Sequence, residues 1–356
     1  MRLRKFALFL GAALVLAGMA VASACGGDDD DGPAPTLPGG TPAPTATPTT
    51  PPDPFAGKKL RFGLLPSEDA EKVLEEAGYL EAYLEAQLKG LDVDLFIGPN
   101  YAATIAAMKE GDIDFAYFGP FSYYIARTAG AKAEAAMAFQ NGDTEPGYYS
   151  ILYTRRSTGI TNVNDLKGKE GSFDWALVDP GSTSGNLAPR AMMYEVGLNV
   201  GEIDKKLIYA GGHDKSALAT ADGQTQVGAS FEAMLYDLCN KGAIPGIADV
   251  VGGGQFSGDC GNPNADGALV LLKKFLLPAS PIAYRTDMDP VLSQAVIDAM
   301  LVWWEVDPEG FKKFAEVTEG LDDADSRLVA YNHSNYKQIE DMCNRPELKD
   351  ICPKPK

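Results

Sequence analysis

Three consecutive hydroxyl residues, Ser182-Thr183-Ser184, stand inside the run Asp179-Pro180-Gly181-Ser182-Thr183-Ser184-Gly185-Asn186. The preceding Phe173-Asp174-Trp175-Ala176-Leu177-Val178 is apolar and reads as a strand, and Leu187 to Val196 carries apolar residues at helical spacing. The turn between them therefore offers unpaired backbone N–H groups, the positive end of a helix dipole and up to three hydroxyl donors to one point. Such an arrangement suits a tetrahedral oxyanion. The plainer alternative is a serine/threonine helix cap without a ligand. Catalysis fits poorly: the centre of Gly181-Ser182-Thr183-Ser184-Gly185 is Thr183, so the Gly-x-Ser-x-Gly elbow of a serine-type hydrolase is missing. His213 and Asp214 are sequence neighbours whose side chains should diverge, so a Ser-His-Asp relay would need another acid.

The elements that would position this turn alternate in type. Leu60 to Leu65 reads as a strand, Ala70 to Lys89 as a helix, and Val93-Asp94-Leu95-Phe96-Ile97 as an alternating strand. A helix from about Tyr101 to Glu110, a strand Phe115 to Phe118 and a helix from about Phe121 to Ala129 follow. The rhythm resumes from Tyr149 through Leu207-Ile208-Tyr209, a helix near Asp214 to Ala221 and Val227-Gly228-Ala229. This predicts two α/β units with mostly parallel sheets flanked by helices. A helical C-terminal part from about Met288 to Phe314 is expected to wrap back onto the first lobe, with Trp303 and Trp304 as packing residues. In such sheets ligands bind beyond the carboxyl ends of strands. Ser67, Tyr101, Ser122, the Ser182 to Ser184 turn, His213 and Glu232 all fall at such places, and a cleft between lobes would let them converge.

The N-terminus has Arg2, Arg4 and Lys5, an apolar run from Phe6 to Ala22, and Ala22-Ser23-Ala24-Cys25. Small residues directly before a cysteine predict a lipoprotein signal over 1–24 with Cys25 lipidated, a transmembrane anchor being the alternative. Residues 25–54, rich in Asp, Gly, Pro and Thr, predict a disordered stalk. The chain is then exported and held at the outer face of the cytoplasmic membrane. Of the remaining cysteines, proximity favours Cys239–Cys260 and Cys343–Cys352 disulfides over the other pairings. No Cys-x-x-Cys or His-x-x-x-His spacing is present, and neither metal nor cofactor is expected. Without the signal, 28 Lys and Arg stand against 49 Asp and Glu, a net charge of −21 that argues against nucleic acid as a partner. It also opposes anion capture at long range, so a phosphate-like ligand must be held by short hydrogen bonds.

Several motifs in order, from about Leu60 to Arg285, resemble the substrate-binding proteins of phosphonate, phosphite and phosphate-type ABC importers. They are Asn100-Tyr101-Ala102, Met108 to Pro120, Pro146-Gly147-Tyr148-Tyr149-Ser150, Asn164 to Lys169, Asp179 to Gly185, Gly212 to Ala219 and Pro278-Ala279-Ser280-Pro281. The resemblance implies a two-lobed periplasmic-binding-protein fold with crossover strands near Tyr149 to Thr154 and Leu272 to Ile282. The lobes would be 55–151 with 279–356, and 152–278. It implies that Ser182, Thr183, Ser184 and His213 donate to phosphoryl oxygens while Tyr101 and Tyr148 close the site; Tyr148 is preferred over the adjacent Tyr149. Aminoalkylphosphonate receptors carry a carboxylate where this chain has Ser280, while a second carboxylate corresponds to Glu232, which could accept a P–OH proton. The expected ligand is phosphate, phosphite or a small alkylphosphonate, and the expected partners are an ABC permease and ATPase, with the receptor a monomer. A receptor for another small organic ligand on the same fold is the alternative.

Overall fold

A computed structural model describes residues 53–256, 258–319 and 325–353. The signal, Cys25 and all but the end of the stalk lie outside the described residues.

The first sheet takes β1 (Lys58–Leu64), β2 (Leu91–Ile97), β3 (Phe115–Tyr117), β4 (Ala133–Asn141) and the later β12 (Pro281–Arg285) and β13 (Ser326–Ala330), in the order β13-β4-β12-β3-β1-β2. The second takes β5 (Gly147–Arg155), β6 (Trp175–Leu177), β7 (Leu207–Tyr209), β8 (Val227–Phe231), β9 (Gly246–Asp249), β10 (Cys260–Gly261) and β11 (Leu269–Pro278), in the order β10-β9-β11-β5-β8-β6-β7. The chain then returns to the first sheet through β12 (Pro281–Arg285) and β13 (Ser326–Ala330). Helices α1 (Ala70–Gln87), α2 (Tyr101–Glu110) and α3 (Pro120–Thr128) belong to the first lobe. Helices α4 (Ala188–Glu195), α5 (Val200–Asp204), α6 (His213–Ala221) and α7 (Glu232–Asn240) belong to the second. The C-terminal part supplies α8 (Pro290–Leu301), α9 (Trp303–Val306), α10 (Pro308–Glu319) and α11 (Lys337–Cys343).

Each sheet is mixed. The βαβ portions, β2-β1-β3 and β7-β6-β8, are parallel as the alternating pattern predicts. The strands at the lobe junction are antiparallel: β5 runs beside β11 from Gly147↔Pro278 to Arg155↔Leu269, and β12 pairs antiparallel with both β3 and β4. Two strands that carry the chain out to a second lobe and back must run in opposite directions, which is why these are not parallel. The same pairing moves the first lobe boundary. β5 joins the second sheet from Gly147 onward, so the crossing lies at 142–146 rather than at 151. The return crossing is Ala279-Ser280, which splits the expected single strand Leu272 to Ile282 into β11 and β12.

Helix α1 shows why these segments hold their places. Asp69 caps it by accepting from the N–H groups of Glu71 and Lys72, and Val73, Ala77, Leu80 and Leu84 fall on one buried stripe. Trp303 is fully buried and stacks on Tyr83 at 4.8 Å between ring centroids, so the C-terminal helices do cover the first lobe. The last segment goes further. Ile339, Met342, Cys343 and Cys352 join an apolar cluster with Ile151, Tyr153 and Leu235 of the second lobe. Both expected disulfides form, Cys239–Cys260 and Cys343–Cys352.

Candidate functional site

The hydroxyl turn is built by its own side chains. Asp179 accepts from Gly181 N–H at 2.7 Å, and Ser182 Oγ accepts from Gly185 N–H at 3.0 Å, which makes Ser182 the cap of a π-helical turn, Thr183–Leu187, leading into α4. Ser150 on β5 donates to the Ser184 carbonyl at 2.8 Å and fixes the turn against the crossover strand.

Four contacts tie this lobe to the first. Phe121 N–H, at the start of α3, donates to Thr183 Oγ1 at 2.8 Å, and His213 N–H donates to the Ser67 carbonyl at 2.7 Å. The Tyr101 hydroxyl lies beside Ser182, and the Asp179 carboxylate beside the Tyr101 backbone amide. The N-termini of α2, α3 and α6 thus all end at the interface between lobes, and each end presents N–H groups.

Between them lies a cavity of about 40 Å³. Seven of the ten expected ligand residues line it: Tyr101, Tyr148, Ser182, Thr183, Ser184, His213 and Ser280. Tyr148 rather than Tyr149 is the member of its pair in the lining. Three are not in the lining. Ser67 contributes its backbone carbonyl to His213, while Leu65 occupies the wall. Ser122 turns its hydroxyl back onto the Gly119 carbonyl at 3.2 Å as part of the α3 start. Glu232 is a correction of larger consequence. Its carboxylate is buried against Lys274 Nζ at 2.6 Å and accepts from Gln255 and Phe256 N–H at 2.7 and 3.3 Å, so it is not a cavity acceptor for a P–OH proton. A buried lysine on β11, with the loop amides of Gln255 and Phe256, captures a carboxylate that its position after β8 had pointed toward the cleft.

The remaining lining residues are Tyr117, Gly119, Phe231 and Thr318. Tyr117 and Gly119 sit at the end of a recognisable strand, where the rule for sheet ligands could have placed them. Thr318 comes from α10, far along the chain, and no sequence signal marks it. Tyr117 donates to the Thr318 carbonyl at 2.8 Å, joining the wall to the C-terminal helices.

No lining residue is Lys, Arg, Asp or Glu. His213 is 3 % exposed, and burial alone pushes its imidazole down to about 3, so it is neutral at ordinary pH. Burial drives the Tyr101 hydroxyl well above its ordinary range and raises Asp179 despite the amides it accepts from. The site is therefore a set of neutral donors from hydroxyls, one imidazole and helix N-termini, able to replace the hydration of a compact anion.

The family described as the periplasmic substrate-binding protein of the phosphonate ABC transporter matches residues 62–316. The chain belongs to that family. This is a family of transporter binding proteins, not of enzymes. Among curated relatives, a phosphate-import protein PhnD from Mycolicibacterium smegmatis is 33% identical over 214 residues, covering 56% of this chain and 65% of the relative. A phosphonates-binding periplasmic protein from Escherichia coli is 27% identical over 243 residues, covering 68% of this chain and 65% of the relative. The chain thus spans just under two thirds of the length of each. PhnD1 from Prochlorococcus marinus, solved in complex with methylphosphonate, superposes with a TM-score of 0.65 at 17% identity, covering 82% of this chain and 99% of that one. A binding component of a phosphonate ABC transporter from Pseudomonas aeruginosa gives the same TM-score at 18% identity, covering 83% and 94%. Both support the two-sheet periplasmic-binding-protein fold.

Proposed function

We propose that this protein is an extracytoplasmic receptor that captures a compact phosphorus oxyanion, phosphate, phosphite or methylphosphonate, and delivers it to an ABC permease and ATPase. The observation that carries the reading is the cavity itself: about 40 Å³, walled by hydroxyls from both lobes, with no charged side chain in its lining. A water needs roughly 10–15 Å³ of such space, so the volume is that of a few waters and favours a compact head group over one that carries a chain. Ser280 lines the wall where a carboxylate would meet an ammonium, and Glu232 is held by Lys274. An amine would be desolvated without a partner. The names of the Mycolicibacterium relative and the ligand of the Prochlorococcus structure agree with a small phosphorus ligand.

Ser182, Thr183, Ser184, His213, Tyr101, Tyr148 and Ser280 are the proposed ligand contacts, and Cys25 the proposed lipid attachment that retains a monomeric receptor at the membrane. Calorimetry of the mature protein against phosphate, phosphite, methylphosphonate and 2-aminoethylphosphonate tests the ligand class. Tight binding of a compact member is expected; binding of none of them, or of the aminophosphonate most tightly, overturns the reading. Mass spectrometry of the mature N-terminal peptide tests Cys25, with an unmodified cysteine as the result that removes the anchor.

A further inference from the structure

The withdrawal of Glu232 leaves an unanswered chemical requirement. Phosphate and alkylphosphonates change between monoanion and dianion near neutral pH, and the monoanion carries a P–OH donor that must find an acceptor once water is excluded. The Ser182 and Thr183 hydroxyls already accept from Gly185 and Phe121 N–H, which leaves them less free to accept it. Beside the remaining hydroxyls, which can accept as well as donate, His213 is the lining group whose change between donor and acceptor moves a proton between two ring nitrogens with no change of charge. Its Nε2 faces the cavity side, 3.4 Å from Ser182 Oγ, a long contact. Its Nδ1 lies 3.1 Å from Ser230 Oγ on β8. A hydroxyl both donates and accepts, and Ser230 is fully buried with no other side-chain hydrogen bond among the described residues, so it follows the imidazole either way.

We propose that the His213–Ser230 pair is a two-way proton reader that lets one cavity hold the oxyanion in either protonation state. With the proton on Nε2, His213 donates to a deprotonated phosphoryl oxygen and Ser230 donates to Nδ1. With the proton on Nδ1, Nδ1–H donates to Ser230 and Nε2 accepts the P–OH proton. The imidazole gains no net proton, because the tautomers exchange through water before the lobes close, and the ring stays in place, its edge held on Phe231 at 4.8 Å. The charged groups on neighbouring elements are Glu68 with Lys72, Asp179, Asp214 and Lys215. None of them sets the titration of His213, which burial keeps neutral well below the range in which a phosphoryl group ionises. Ser230 is thus a positioning residue that acts through His213. The proposal rests on the receptor reading above.

The chain has two histidines, His213 and His333, so nitrogen NMR of the ¹⁵N-imidazole-labelled mature protein can follow the ring directly. Inorganic phosphate and methylphosphonate are added at about pH 5.5 and about pH 8.5, on either side of the second phosphoryl ionisation, with calorimetry in parallel. Binding at both values is expected, with His213 protonated on Nδ1 at the lower and on Nε2 at the higher. Heat of binding with the same tautomer at both values, or with an imidazolium, overturns the proposal and leaves the receptor reading standing. No heat with either ligand overturns both. Ser230→Ala supplies a second arm: an unpaired buried N–H is tolerated less well than an unpaired acceptor, so affinity at the lower pH should fall about tenfold more than at the higher. Equal losses at the two values count against the pair, and a thermal unfolding curve like the wild type's shows that the variant is folded.

Discussion

Gly119→Ala should weaken ligand binding while leaving each lobe almost untouched. Gly119 has φ −71 and ψ 154, extended values that alanine adopts freely, so the substitution brings no backbone strain. A Cβ built there would stand 3.0 Å from Thr183 Oγ1 and 3.3 Å from Ser122 Oγ. Ser122 is on the same helix and can turn; Thr183 is on the other lobe and is held by Phe121 N–H at 2.8 Å. The methyl group therefore meets resistance only when the lobes come together, and it also takes up part of a cavity of about 40 Å³. Overpacking of this kind costs about 1–3 kcal/mol, or roughly 5- to 150-fold in Kd. Replacing glycine by alanine at a helix cap loses about 0.5–1 kcal/mol and gains about 0.4–1 kcal/mol from the unfolded chain, so thermal unfolding without ligand should move little. Calorimetry gives the affinity, and a double-mutant cycle with Thr183→Ala tests that the loss arises at that contact. Affinity within about twofold of wild type, or a loss unchanged in the Thr183→Ala background, would refute the reasoning.

Ser184→Ala should cost on the order of 1.5–3 kcal/mol of binding for one charge-assisted hydrogen bond, with little change in unliganded stability because Ser182 is the cap; an unchanged Kd would remove Ser184 from the contacts. Ser280→Asp should shift a competition titration toward 2-aminoethylphosphonate by placing a carboxylate on the cavity wall; an unshifted order would mean that this wall does not meet the ligand substituent. Solution scattering should contract on adding phosphate or methylphosphonate if the crossings at 142–146 and Ala279-Ser280 act as a hinge, whereas identical curves would count against it. Between pH 6.5 and about 3 the unfolded chain binds a proton at His213 that the folded chain refuses, so stability falls as the pH falls through that window, by up to roughly 5 kcal/mol. Asp179 and Asp214, both raised by burial, act in the opposite direction, so the His213 contribution is read as the wild type minus His213→Gln difference in thermal unfolding, and a difference constant from pH 7 to 4 would contradict it.

The legible part of this molecule was the part governed by local pattern. The strand-turn-helix around Ser182 follows from side chains within a few residues and lies where its sequence places it, and α1 and α2 begin where their spacing does. The antiparallel β5–β11 ribbon was harder to see because pairing between strands over a hundred residues apart leaves no periodic signature in either. Glu232 illustrates the same limit at the level of one side chain. Its position after β8 is that of a ligand residue, but its partner Lys274 sits 42 residues away on a different strand, and only the folded chain shows that the carboxylate is already neutralised. Thr318 reaches the cavity from the opposite end of the protein for the same reason.

The net charge and the site geometry belong to one argument. A chain of net charge −18 repels an anion at distances beyond about 8–10 Å only weakly in physiological salt, because counter-ions screen it. At contact the balance is set by what lines the cavity, and there the acidic groups are turned away: Glu232 onto Lys274, Glu68 onto Lys72 at 2.7 Å, Asp179 onto backbone amides. A lysine or arginine in the wall would add affinity for any anion of the right charge. Neutral hydroxyls and helix N-termini aimed from two lobes act only at hydrogen-bond range, so they reward the placement of oxygen atoms rather than charge itself. On the proposed reading such a wall selects by the placement of oxygen atoms and needs both lobes, since each supplies part of the lining.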